Sequence, residues 1–176
     1  MARTRIALLA LVSAALLSGG AGDLPGPREQ AAPAAITAAD VARVLERVNP
    51  DLSPGEVRRV AAAVIRYGGK YDLDPELVTA VLLVESAGRP WARSHMGAVG
   101  LMQVMPHVAK PLEMAGNLTT IESNIEAGCL LLADNIRRLG ERDGISAYFW
   151  GSQIRNAAYL DRVRKARATV RRLRSS

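Results

Sequence analysis

Three helix starts, each set by side-chain chemistry, constrain what this chain can fold into. Thr37-Ala38-Ala39-Asp40 has the form of a capping box, a hydroxyl at the cap and a carboxylate three positions on. Ser53-Pro54-Gly55-Glu56 puts proline in the first turn, where its missing N–H is no loss. Asp74-Pro75-Glu76 repeats that arrangement with an aspartate cap. Apolar residues recur at helical spacing after each start. Val41, Val44, Leu45 and Val48 follow the first and stop at Asn49-Pro50; Val57, Val60, Ala61, Val64 and Ile65 follow the second and stop at Gly68-Gly69. Leu77, Val78, Val81, Leu82 and Val84 follow the third, which ends in Ala87-Gly88-Arg89-Pro90. Ile121, Ile125, Cys129, Leu132, Ile136 and Leu139 carry the same period to a stop at Gly140. The spacing also predicts a short helix from Met102 to Ala109 broken at Pro111, a loop over 112–120, a short helix at 147–150 and a last helix over 156–172. No stretch alternates convincingly as a strand. The fold class is mainly α, with room for a very small β-hairpin between Ser94 and Val99.

Arg3 and Arg5 precede an apolar run from Ile6 to Leu17 and then small residues to Gly22, the order of a cleavable signal peptide over 1–22. The run is short for a bilayer span, which takes about 20 apolar residues; a retained anchor is the alternative. Export, to a bacterial periplasm, is the expectation, with no stable transmembrane segment in the mature form. Residues 23–50 read as a Pro-, Gly- and Ala-rich leader carrying one short helix, 51–165 as the main domain, and 166–176 as a basic C-terminal tail. With one cysteine, Cys129, no intrachain disulfide can form; its place in an apolar stripe makes it core filler.

The formal net charge of +6 is a local property. Arg155, Arg162, Arg164, Lys165, Arg167, Arg171, Arg172 and Arg174 cluster near the end against Asp161 alone, and the body without them and the leader is slightly acidic. Such a cluster suits anionic lipid, nucleic acid or an acidic wall polymer, or is a solvated helix face. Export argues against nucleic acid as a partner. His95 and His107 have no ligand-like spacing with any cysteine or acid, and no glycine-rich phosphate loop is present, so neither metal nor other cofactor is expected.

Glu85 stands out on the third helix. It lies one turn beyond Val81 and two beyond Val78, on the side that faces the core. Desolvation and the negative end of the helix dipole both raise the pKa of a carboxyl placed there. An acid that keeps its proton near neutral pH can protonate a leaving group. Pairing with a buried arginine, or capping of a loop, would explain the same placement.

Gly97-Ala98-Val99-Gly100-Leu101-Met102-Gln103 follows, with Gln103 eighteen positions after Glu85. Glu85-Ser86 at a helix end and this Gly-Leu-Met-Gln stretch together resemble the soluble, goose-lysozyme-like lytic transglycosylases. Asn124-Ile125-Glu126-Ala127-Gly128, Ala147-Tyr148-Phe149-Trp150-Gly151 and Tyr159-Leu160-Asp161-Arg162-Val163 resemble later blocks of that family in the same order, over about Asp51 to Val163. The resemblance implies a lysozyme-like helical domain that acts on peptidoglycan glycan strands. It implies Glu85 as the catalytic acid, with Ser86, Met102, Gln103 and Tyr148 binding substrate: Ser86 orienting groups near Glu85, Met102 on the groove wall, Gln103 on an N-acetyl group or hydroxyl, and the Tyr148 hydroxyl on Glu85 or the sugar. Gly97 and Gly100 would let the loop approach the glycan. Phe149 departs from the family's asparagine at that position.

A glycosidase ordinarily needs two carboxylates, whereas the conspicuous partner of Glu85 is the amide Gln103. Asp72, Asp74 and Glu76 are a helix length away, and Asp134, Glu141 and Asp143 fall outside the matching blocks. A single acid fits the family's reaction, in which the muramoyl 6-hydroxyl closes on its own anomeric carbon and gives a 1,6-anhydro end. A hydrolytic muramidase and a wall-binding module without activity are the other readings. Cell-envelope secretion or conjugation machinery is the partner class such a small enzyme would serve.

Overall fold

In a computed structural model, residues 35–109 and 117–175 are described. The expected signal segment, the leader to residue 34, Pro111 and the first part of the 112–120 loop lie outside them. Six helices are present among the described residues: α1 (Ala38–Val48), α2 (Pro54–Lys70), α3 (Pro75–Ser86), α4 (Pro106–Ala109), α5 (Ile121–Trp150) and α6 (Ala158–Arg174). The chain is mainly helical, as its periodicity predicts.

The three starts form as their chemistry requires. Thr37 accepts from the Asp40 backbone N–H at 3.2 Å, and the Asp40 carboxylate accepts from the Thr37 N–H at 2.9 Å. Ser53 and Glu56 make the same reciprocal pair, and Asp74 accepts from the Glu76 N–H at 2.9 Å. Helix α1, assigned from sequence to the leader, is instead part of the core. Val41, Val44 and Leu45 have no exposed surface, and Arg43 donates to the Arg174 carbonyl at the far end of α6 at 2.6 Å. Helix α2 does not stop at Gly68-Gly69 but runs on to Lys70. Gly68 is a contact point there: a Cβ on it would come within 3.2 Å of the Leu73 carbonyl.

Helix α3 is central. Every residue from Glu76 to Leu82 is buried, so it is enclosed on all sides in its first two turns and is not a one-faced surface helix. It packs against α2 and, most extensively, α6. Leu83, Val84 and Glu85 emerge partly from the packing before Ala87 closes the helix in the left-handed region, at φ 52°.

The stop expected at Gly140 is real, since its φ of 78° and ψ of 165° break the helical path within α5. The second arm of α5 resumes directly after it, earlier than the short helix expected at 147–150. Gly144 lets the two arms meet, because a Cβ there would lie 2.5 Å from the Ile136 Cα. The short helix expected from Met102 begins only at Pro106. The residues before it form two antiparallel bridges, Arg93 with Val99 and Val99 with Val104, where a small hairpin was expected.

Most of the basic segment 166–176, expected as a tail, belongs to α6, which runs to Arg174. Val170 is fully buried. Arg167 reaches Glu76 at 3.0 Å and Glu141 at 3.1 Å and also pairs with Asp74, while Arg171 reaches Glu76 at 2.7 Å. Glu76 is only 5% exposed, a burial a carboxylate tolerates when it is paired. Arg167→Ala is expected to destabilise the fold by roughly 1–2 kcal/mol, because Arg171 still covers Glu76 and the outer contacts are solvated. A denaturant melt at neutral pH measures it, and an unchanged midpoint would show the cluster to be ornamental.

Candidate active site

The site is assembled where the end of α3, the loop 92–105, the second arm of α5 and the start of α6 converge. Glu85 is partly buried, and its Oε1 accepts a 2.5 Å hydrogen bond from the hydroxyl of Tyr159, a residue 1% exposed. Burial pushes the Glu85 carboxyl above its usual 4.5; the Tyr159 bond and the positive charge of Arg162 pull it back only in part. Burial, then the charge of Glu85, raises the Tyr159 phenol well above its ordinary value, so it remains a donor. Among the described residues, the side chains that act on Glu85 by charge or hydrogen bond are Tyr159 and Arg162, and neither is a carboxylate.

The Tyr148 hydroxyl was expected on Glu85 or on the sugar. It donates to the Met102 carbonyl at 2.8 Å and not to Glu85, and burial, then the charge of Glu85, raises the Tyr148 phenol well above its ordinary value. The α3–α6 packing brings Tyr159 to the acid, and sequence reading missed it, placing Tyr159 only in a closing helix. The available signal was the stripe Tyr159, Leu160, Val163, whose one hydroxylated member must find a partner when buried.

Ser86 is buried, and its hydroxyl returns to the Leu82 carbonyl at 3.1 Å, so it finishes the helix and does not orient Glu85. Met102 is not on a groove wall. It is fully buried against Gly128, where any Cβ would come within 2.5 Å of the Met102 Cβ. Gln103 is partly exposed, with φ of 47°, and its amide nitrogen donates to the carbonyls of Gly100 at 2.9 Å and Ala92 at 3.2 Å.

Asn124 explains why the loop holds this shape. From the first turns of α5, its side chain accepts from the Met102 N–H at 2.8 Å and donates to the carbonyls of Val99 at 2.8 Å and Leu118 at 2.9 Å. Gly100 makes room for it: φ is 77°, and a Cβ would stand 2.3 Å from the Asn124 amide nitrogen. The Gly-Leu-Met-Gln and Asn-Ile-x-x-Gly stretches are therefore two halves of one contact. Gly100 admits Asn124, and Gly128 admits Met102. Gly97 has no neighbour at its Cβ position and serves its own positive φ.

A cleft of about 400 Å³ opens beside the loop, lined among others by Gln103, Tyr148, Leu131, Asp134, Asn135 and Gly151. Glu85 is not on its wall; Tyr148 is common to the cleft and to the surroundings of the acid. Asp134 is no second catalytic carboxyl in waiting, because Arg138 at 2.7 Å and Arg137 at 2.6 Å hold it ionised. Cys129 is fully buried, and its thiol is pushed up to about 12 by burial, as suits core filler. Among the described residues no group of three or more His, Cys, Asp or Glu side chains is placed to hold a metal, and no helix is long and apolar enough to cross a membrane.

Comparison with known proteins gives the family. Residues 62–168 match the family described as "Transglycosylase SLT domain", a span running from α2 through most of α6. The transglycosylase of Enterobacteria phage PRD1 is 41% identical over 88 residues, which is 49% of this chain and 33% of that protein. The endo-type membrane-bound lytic murein transglycosylase A of Klebsiella pneumoniae is 49% identical over 39 residues, 22% of this chain and 19% of its own. A solved structure of lytic transglycosylase Slt from Pseudomonas aeruginosa aligns with TM-score 0.47 and 24% identity over 64% of this chain and 22% of that one. The matched region thus spans a third or less of these relatives. With the family profile covering more than half of its length, the chain belongs to the transglycosylase SLT domain family.

Proposed function

We propose that the protein is an exported peptidoglycan lytic transglycosylase that cleaves the β-1,4 bond between N-acetylmuramic acid and N-acetylglucosamine without consuming water. The observation that carries this reading is Glu85: a carboxyl raised by burial, held by one phenol, with no second carboxylate acting on it among the described residues. The protonated acid donates to the glycosidic oxygen as the C1–O4 bond breaks. The resulting carboxylate then takes the proton of the muramoyl 6-hydroxyl as O6 bonds to C1, which restores the acid and leaves a 1,6-anhydro end. The intramolecular hydroxyl does by proximity what a second side chain does in hydrolases. Tyr159 fixes the carboxyl during both transfers, and Gln103, held by the Asn124-braced loop, offers its amide oxygen to the sugar. Relatives named as murein transglycosylases support the substrate. Service to a secretion or conjugation system at the cell envelope is the role we assign to it.

Digestion of purified glycan strands, with products separated by mass, tests the reading. Anhydro ends are expected; reducing ends would make the protein a muramidase, and intact strands would make it a binding module. The pH profile is a further check. Glu85 must start protonated, so activity is retained below its raised pKa and falls as pH rises through it. Tyr159→Phe removes a bond that favours the carboxylate form, so the falling limb should move to higher pH while the rate drops. An unmoved limb would separate Tyr159 from the chemistry.

A further inference from the structure

The departure at Phe149 lies one ring away from the acid. Phe149 is 50% exposed and stacks on Tyr159, with centroids 5.1 Å apart and planes at 15°. The Arg162 guanidinium sits 5.3 Å from the Phe149 centroid and 5.4 Å from that of Tyr159, so one cation covers both rings. Trp150 meets Phe149 edge-on at 4.9 Å, and Arg155 lies over Trp150 at 5.5 Å. An exposed aromatic face suits the apolar face of a pyranose. A guanidinium already laid on rings keeps its fork of N–H donors at small entropic cost, ready for a carboxylate. No carboxylate among the described residues forms an ion pair with Arg155 or Arg162, whereas the neighbouring Arg164 has Asp161 at 3.9 Å and Arg167 has three acids.

We propose that Phe149 and Arg162 form a subsite for a carboxylate-bearing sugar, its ring stacked on the exposed aromatic face and its acid paired with the guanidinium. The inference rests on the transglycosylase reading above and narrows it: the enzyme selects glycan that carries free carboxylates beside the scissile bond. An asparagine at position 149 would provide neither the platform for the sugar nor the ring that seats Arg162. The carboxylate comes either from the lactyl group of a muramoyl unit stripped of peptide or from a peptide stem still attached. Arg162 has a second effect through its charge on Glu85, so filling the subsite would partly neutralise the cation nearest the catalytic acid and favour its protonated form.

The test measures binding apart from cleavage. Soluble glycan fragments, peptide-bearing or stripped by an amidase, are each used before and after their carboxylates are converted to neutral amides. Dissociation constants are read on the full chain carrying Glu85→Gln, and cleavage is read on the unaltered chain. Neutralising the carboxylates is expected to weaken binding roughly five- to tenfold, with Arg162→Gln erasing the difference and Arg162→Lys restoring part of it. Phe149→Ala should weaken both charged and neutral fragments. Sensitivity in the stripped fragments assigns the lactyl carboxylate, and sensitivity only in the peptide-bearing ones assigns the stem. Equal binding of charged and neutral fragments, or equal loss on both in Arg162→Gln, overturns the subsite and leaves the proposed function standing. Failure of the unaltered chain to cleave any fragment counts against the function itself.

Discussion

Glu85→Gln is expected to lower glycan cleavage at least roughly a hundredfold, the scale of a lost general acid, while the fold is kept or strengthened. The amide preserves the shape and can still accept the Tyr159 hydroxyl, but it cannot transfer a proton. The stability arm follows from linkage. Burial raises the folded-state pKa of Glu85, so the wild-type chain binds this proton more tightly folded than unfolded. Its contribution is fully present below the ordinary carboxyl range and is lost as pH rises through the raised folded value. Glutamine has no such loss. The variant should therefore melt at or above the wild-type temperature at neutral pH, with the gap closing as pH falls. Cleavage within a few-fold of wild type would remove Glu85 from the chemistry, and a variant that melts well below wild type would show that its charge is structurally required.

Asn124→Ala should be the most damaging single truncation outside the apolar core. It leaves the Met102 N–H and the Val99 and Leu118 carbonyls without their side-chain partner, in a place where Asn124 is 1% exposed. Roughly 1 kcal/mol for each bond gives about 3 kcal/mol, a fall in melting temperature of roughly 10 °C for a domain of this size. Activity should fall too, because Gln103 follows Met102 in the loop that Asn124 holds. Asn124→Asp should not rescue it, since a carboxylate would face two carbonyls. A melting temperature within a degree of wild type would mean that the loop holds its shape by backbone bridges alone.

The helices were legible because their beginnings are chemical: a hydroxyl or carboxylate at the cap, and proline where no N–H is missed. Their ends were less so. Gly68 resembles a stop but serves a contact with the Leu73–Pro75 turn, a fact about a neighbour that no local pattern carries. The motifs pointed to this loop and put Met102 on the wrong side of it. Met102, expected on the groove wall, forms with Asn124 and Gly128 the joint that holds the loop on α5. Tyr159 could not be paired with Glu85 from spacing, because 74 residues separate them and only the packing of α6 on α3 brings them together. Likewise the arginines of α6 read as a charged tail until the acids of α3 and α5 are seen opposite them.

Helices α3 and α6 are fastened near both ends of α3, by Arg167 and Arg171 on Glu76 and by Tyr159 on Glu85. Nine residues separate the two glutamates and eight separate the tyrosine from Arg167, spans of about 13 and 12 Å at 1.5 Å per residue. The pair therefore works as a gauge block. Inserting or deleting one residue between Tyr159 and Arg167 would rotate one fastening about 100° away from its partner while the other stayed seated. In descent, this stretch of α6 should accept substitutions on its outer face and refuse any change of length.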